Sequence, residues 1–488
     1  MIRSISPGLY GPSGSSARRR LLAIAGLGIM LGGCAVGPNY HPPKTALPAN
    51  WTEAGPGGTT NREADLARWW KTLGDPQLDS LIERAVKSNR DLMAAEARVR
   101  AARALRGTVI SDLFPTIGAG ASYTTARRSA NALSFPVRLL DTDTYQAGFD
   151  ATWEIDVFGG KRRALQAANA DLQAVEEDRR DVLVSLLAEV ARNYLELRGT
   201  QRRLVIAQEN LQAQQEVLEI TRMRLEKGLA SELEVAQAQA VLAATKSQVP
   251  SLETALKQSS HRLCVLLGQP PGTLASELAD GAPIPPPPPE VPAGLPSDLL
   301  RRRPDVRRSE RQLAAATARI GVATAELFPK FILTGAAGYQ SLEAGNLISP
   351  QSKFWSAGPS LRWRLLEYPR LKSLVRAQTA QQEQVLAQFD QTVLISLEDV
   401  ENALVAYGKE KERYQSLNEA VDASRRSLEL ANQLYTAGLG EFLNVLVAER
   451  ALYQAEDALV ESQRTVTENV VALYKALGGG WESEARSN

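Results

Sequence analysis

Apolar residues recur along this chain with two periods, and each period appears twice. From about Gly160 to Lys227 and from Pro369 to Ala437 the spacing is seven: Leu204, Leu211, Leu218 and Leu225 align with Tyr414, Val421, Leu428 and Tyr435 at an offset of 210. Past a turn in each half, Val235, Leu242, Val249, Leu256 and Leu263 align with Val445, Leu452, Leu459, Val466 and Leu473. A sustained heptad predicts helices packed knobs-into-holes. At about 1.5 Å per residue the two longer segments would span roughly 100 Å. Lys227-Gly228-Leu229-Ala230-Ser231 and Ala437-Gly438-Leu439-Gly440-Glu441 supply glycines that end a helix at positive φ, so each half folds into a helical hairpin. Gly199 and Gly408 are expected to mark local irregularities, and Pro250 a kink in the first return helix.

The second period is two. Asp91-Leu92 through Leu113-Phe114-Pro115 matches Asp305-Val306 through Leu327-Phe328-Pro329 at an offset of 214, and each proline stops an Ala/Arg-rich helix. After each comes a Gly, Ser, Thr and aromatic-rich run, such as Ile117 to Tyr123 and Phe331 to Thr334. A second run follows, ending in Phe149 to Ile155 or in Ser360 to Leu365. These predict two β-hairpins with loops near 127 to 142 and 341 to 353. The repeats divide the chain into 76–282 and 298–478, joined by the proline-rich linker 283–297 and flanked by segments 34–75 and 479–488. The fold class is mixed and mainly α.

Residues 1–33 carry Arg3, Arg18, Arg19 and Arg20 with no acid, then an apolar run from Leu21 to Leu31 too short to cross a bilayer. They read as a signal peptide. Leu31-Gly32-Gly33-Cys34 resembles a lipobox, so Cys34 is the expected lipidation site and mature N-terminus, with Ala35 favouring the outer membrane. Without the leader, Lys+Arg falls from 56 to 52 against 55 Asp+Glu, a mildly acidic balance that excludes general nucleic-acid binding. The other cysteine, Cys264, lies in an apolar helical stretch and reads as a buried small hydrophobe. His41 and His261 have no nucleophile or metal ligand at motif spacing, so neither an enzyme nor a metal site is expected, and no cofactor beyond the lipid on Cys34.

No apolar run of eighteen follows residue 34, so the hairpins must meet the membrane. A sheet in lipid has to close, since each unpaired backbone group there costs several kcal/mol, and four strands per chain cannot close. Several chains must therefore pool strands, because the smallest membrane barrels use about eight.

Five signatures in order resemble the TolC-like outer-membrane efflux proteins, specifically the OprM/NodT-type lipoprotein branch. They are Val36-Gly37-Pro38-Asn39-Tyr40; Trp69-Trp70 with Asp75-Pro76-Gln77-Leu78; Trp153 through Gly159; Arg301 through Val306 with Leu327-Phe328-Pro329; and Leu473 through Trp481. The resemblance implies a homotrimer whose chains share one transmembrane β-barrel, continuous with a periplasmic α-barrel and an equatorial belt built by 34–75, the linker and the C-terminal tail. It implies a passive exit duct at the outer membrane, served by a periplasmic membrane-fusion adaptor and an inner-membrane RND-type pump. A periplasmic gate is implied at Val421, Asp422 and Arg425, although Asp422 and Arg425 at i, i+3 are also placed to pair on a solvated helix face. Adaptor docking is implied at Arg224, Gly228, Leu229, Ser231, Gly438, Leu439 and Glu441. Alternatives are a structural coiled-coil lipoprotein, which leaves the two hairpins unexplained, a self-sufficient porin, which needs more strands per chain, and a copper or silver duct, which the four methionines argue against.

Overall fold

The computed structural model describes residues 35–53, 59–60, 66–127, 129, 141–289 and 291–482; the leader and Cys34 lie outside them. The elements are α1 (Pro76–Ser88), α2 (Arg90–Ser111), β1 (Thr116–Ala126), β2 (Thr142–Ile155), α3 (Gly160–Glu226), α4 (Glu232–Leu266), α5 (Pro304–Ala325), β3 (Lys330–Ser341), β4 (Lys353–Arg362), α6 (Tyr368–Thr436) and α7 (Phe442–Ala476). The expected hairpins, long helices and return helices are all present; the long helices end within one residue of the expected bounds, while β4 stops at Arg362, three residues short of Leu365. Among the described residues two compact units result, and each draws on both repeats: one comprises 35–42, 102–127, 129, 141–172 and 311–387, the other 43–53, 59–60, 66–101, 173–289, 291–310 and 388–482.

The first unit holds a four-stranded antiparallel sheet in the order β1-β2-β3-β4. Thr116 pairs with Thr152, Tyr145 with Ser341, and Lys330 with Arg362. The two Leu-Phe-Pro stops and the two strand-end tryptophans form one device, used twice. Trp153 Nε1 donates to Leu113 O at 3.0 Å and Trp363 Nε1 to Leu327 O at 3.1 Å. Each indole caps a carbonyl two residues before the proline and just past the helix end, where no following helical N–H is placed to reach it. Asp156 then starts α3, its carboxylate accepting from the backbone N–H groups of Lys161 at 3.1 Å and Arg162 at 2.9 Å.

The second unit is built on Leu78, Leu81 and Ile82 of α1, Leu183, Leu187 and Tyr194 of α3, and Val470, Leu473 and Tyr474 of α7, all nearly solvent-free. Trp69 stacks on Tyr474 at 5.3 Å, and Trp51 Nε1 donates to Gly294 O at 3.0 Å. Trp481 Nε1 donates to Arg302 O at 2.9 Å. The N-terminal segment, the linker and the C-terminal residues thus meet in one core. Asp75 caps α1 by accepting from Gln77 N and Leu78 N at 2.8 and 3.1 Å, with Pro76 in the first turn. Cys264 is fully buried, as expected.

Helix α3 runs unbroken through Gly199 and α6 through Gly408, so neither glycine marks the expected irregularity. At Gly199 the reason is packing: a Cβ there would come within 2.7 Å of Arg464 Cδ. Helix α4 contains Pro250 within a single helical element.

Candidate conduction and docking sites

Register puts the sheet's odd-numbered residues on one face and its even-numbered residues on the other. The odd face is apolar and aromatic: Ile117, Phe149 and Trp355 are 71%, 65% and 80% exposed. Tyr123 and Tyr145 sit toward the loop end, 4.9 Å apart. Left in water, each large apolar side chain forgoes about 1.5 to 3 kcal/mol of burial. The even face is small and polar, with Thr116, Gly118, Gly120, Ser122 and Thr124 on β1 and Gln146, Asp150 and Thr152 on β2. Strands of 10 to 14 residues, tilted by about 40°, match an apolar band of roughly 25 Å. Gly148 faces Gly338 across the ladder, and a Cβ on Gly148 would lie 2.6 Å from Ala337 O. The glycines therefore let the even face close in on itself. Strands β1 and β4 are edges, each with no strand on its outer side among the described residues.

Beside this sheet the first described residues are clamped. Arg163, 4% exposed, donates to Val36 O at 3.0 Å, Gly37 O at 3.2 Å and Asn39 Oδ1 at 2.9 Å. Val36 N returns a bond to Phe158 O at 3.0 Å. Gly37, at φ +87°, passes so near Gly321 that a Cβ would lie 2.5 Å from its Cα. This contact network explains the Val36-Gly37-Pro38-Asn39 signature.

In the second unit both helical turns have one geometry. Gly228 and Gly438 each adopt φ +74°. Gly228 N bonds Leu225 O at 2.9 Å and Leu229 N bonds Arg224 O at 2.8 Å, while Gly438 N bonds Tyr435 O and Leu439 N bonds Leu434 O at 3.1 and 2.9 Å. Paired 5→2 and 6→1 bonds of this kind satisfy the last carbonyls of a helix. Ser231 caps α4 in a reciprocal box with Glu234, whereas Glu441 precedes α7 without a side-chain cap. Leu229 and Leu439 project into solvent at 65% and 79% exposure. Arg224 is half-buried, its guanidinium 4.5 Å above the Tyr435 ring, and so joins the two hairpins. Leu218, Ala238, Phe442, Val445 and Leu446 pack beneath the turns.

Val421 is buried on the heptad line. Asp422 is exposed, and Arg425 reaches it loosely at 3.8 Å but bonds Glu456 Oε1 on the return helix at 3.0 Å. The sequence reading lacked Glu456, whose pairing depends on how the hairpin aligns. Among the described residues no three His, Cys, Asp or Glu side chains converge as metal ligands, and no helix is long and apolar enough to cross a membrane.

Paired helical hairpins, together with a four-stranded sheet that has one apolar and one polar face, define a TolC-like outer-membrane channel chain. Residues 81–269 and 295–479 match the family model of the outer membrane efflux proteins, and the chain belongs to that family. It is 33% identical to the pyoverdine export outer membrane protein OpmQ of Pseudomonas aeruginosa, over 93% of this chain and 96% of that one. It is 30% identical to nodulation protein T of Rhizobium leguminosarum bv. trifolii, over 94% and 97%. Among solved structures, the outer-membrane channel OprN superposes with a TM-score of 0.87 at 38% identity, covering 92% of this chain and all of that one. The protein is an efflux channel of the outer membrane.

Proposed function

We propose that three copies of the chain pool their sheets into one twelve-stranded barrel, and that the helical hairpins extend it as a periplasmic tunnel. The observation that carries this is a sheet with a lipid-suited face, a water-suited face and two open edges. An edge strand leaves roughly five backbone N–H and C=O groups unpaired, which would cost tens of kcal/mol in hydrocarbon. Pairing β4 of one copy with β1 of the next removes both edges at once. Acylation of Cys34 supplies a lipid tether beside Ala35, whose backbone the Arg163 clamp holds against Gly159.

The turns at Arg224, Gly228, Leu229 and Ser231, and at Gly438, Leu439 and Glu441, present apolar leucines on rigid caps to a periplasmic adaptor, which in turn joins an RND-type inner-membrane pump. Val421, Asp422 and Arg425, with Glu456, form the constriction. Arg425 ties its own hairpin together through Glu456 and leaves Asp422 exposed to neighbouring helices. Cargo is organic: the relatives include a pyoverdine exporter and, at 32% identity, a toluene efflux pump protein. No covalent chemistry or cofactor takes part.

Asp422→Ala combined with Arg425→Ala is expected to raise single-channel conductance in planar bilayers. Unchanged conductance in channels that do form would remove these residues from the gate.

A further inference from the structure

The polar face of the sheet carries its charges very unevenly. At the foot they are mixed and paired: Lys330 Nζ lies 2.5 Å from Glu326 and 3.7 Å from Glu154, and Arg364 lies 3.7 Å from Glu326. Arg362, opposite Lys330, belongs to the same level. Above that rim the even-numbered positions of all four strands are Thr, Ser, Gly, Gln, Ala, Ile or Phe, with Asp150 as the exception. The Asp150 side chain is exposed and makes no hydrogen bond or ion pair among the described residues. Its cross-strand neighbours are Gly118, Ala336 and, one strand further, Ser356. Its Oδ1 lies 2.9 Å from where a Cβ on Gly118 would stand, so the glycine makes room for the carboxylate to lie along the wall. No side chain at this level is tall enough to cover it.

We propose that Asp150 is the charge-selectivity determinant of the barrel, three carboxylates at one level favouring cations over anions in transit. This rests on the trimeric barrel proposed above. With strands about 4.8 Å apart, a twelve-stranded wall would hold these carboxylates about 9 Å from the axis. Three unit charges at that distance, in water and screened over about 8 Å, concentrate cations and deplete anions about twofold each near 0.15 M salt. The cation-to-anion permeability ratio therefore rises about fourfold there, and more than tenfold near 0.01 M, where screening extends to about 30 Å. The rim, about four residues or 13 Å below along the strand, carries Lys330, Arg362 and Arg364 against Glu154 and Glu326, one net positive charge per chain, and at 0.15 M its field at the level of Asp150 is cut by screening over about 8 Å.

The test is the reversal potential of reconstituted full-length protein under a tenfold KCl gradient, measured with and without Asp422→Ala and Arg425→Ala so that charges at the constriction do not set it alone. Wild-type channels are expected to prefer K⁺. Asp150→Asn should lower the permeability ratio about fourfold near 0.15 M, with a larger drop at lower salt, and Asp150→Lys should turn the preference toward Cl⁻. Channels that form in all three proteins with the same reversal potential would overturn the role of Asp150 and leave the barrel intact. Failure of the wild-type protein to form any channel would overturn the barrel and this inference together.

Discussion

Glu449 lies on α7 two turns beyond Phe442 and is 5% exposed, with Oε2 buried and unpartnered. Burial pushes its carboxyl from an ordinary 4.5 up to about 7. Between those values the folded state binds more protons than the unfolded state, so this group's contribution to stability is intact below about pH 4.5 and lost as pH rises through about 7. The tip should therefore loosen under mildly alkaline conditions. Hydrogen exchange of the α7 amides is expected to quicken between pH 5 and 8, after correction for intrinsic rates. Glu449→Gln should flatten that trend and protect the tip by on the order of 2 kcal/mol at pH 8; parallel profiles for the two proteins would show that the carboxyl titrates elsewhere. At this scale the sequence was only partly legible. Asp422, Arg425 and the turn glycines stand out because local spacing marks them. Glu449 looks like one more charge on a solvated helix, and only its seven-residue offset from Phe442 signals burial. Arg163 and Asp150 carried no such signal, since their surroundings come from residues about 125 positions upstream and from strands paired by long-range register.

At the scale of elements, the turn glycines decide how the hairpin tips are presented. Nothing lies within 4 Å of a Cβ built on Gly228, so space does not exclude a side chain there; the φ of +74° does. Placing a β-branched residue in that conformation costs about 1 to 2 kcal/mol, enough to shift the turn but small against the helical packing below it. Gly228→Val is expected to lower whole-cell efflux of a fluorescent dye while the oligomer, followed by size exclusion, stays intact. Normal efflux would place adaptor docking elsewhere. Element type and limits were the most legible level of the fold, because prolines, glycine turns and a switch from heptad to alternating pattern punctuate them. The link between Trp153 and Leu113, and between Trp363 and Leu327, explains why helix stop and strand end travel together in both repeats. That link was not visible from spacing alone. Gly199 misled because a helical glycine signals either a break or a close neighbour, and only the position of Arg464 on another helix decides between them.

For the whole molecule, the two repeats place matching hairpins side by side in one sheet, and the sheet stops at four strands. A structural coiled-coil lipoprotein would have no use for the exposed Ile117, Phe149 and Trp355, and a self-sufficient porin would not leave β1 and β4 open. Sequence physics reached the need for partners, because unpaired edges are untenable in lipid. The number three came only from family resemblance, since edge chemistry sets no count. Interchain pairing of β4 with β1 is therefore the central claim, and cysteine cross-linking tests it most directly. In a Cys264→Ser background, Ser122→Cys on β1 is combined in turn with cysteines at Phe354, Ser356 and Gly358 on β4, which brackets the unknown register. Oxidation in native membranes should give, for at least one combination, covalent dimers and trimers with nothing larger. Monomers at every register, or a ladder continuing past three, would contradict a closed three-chain barrel.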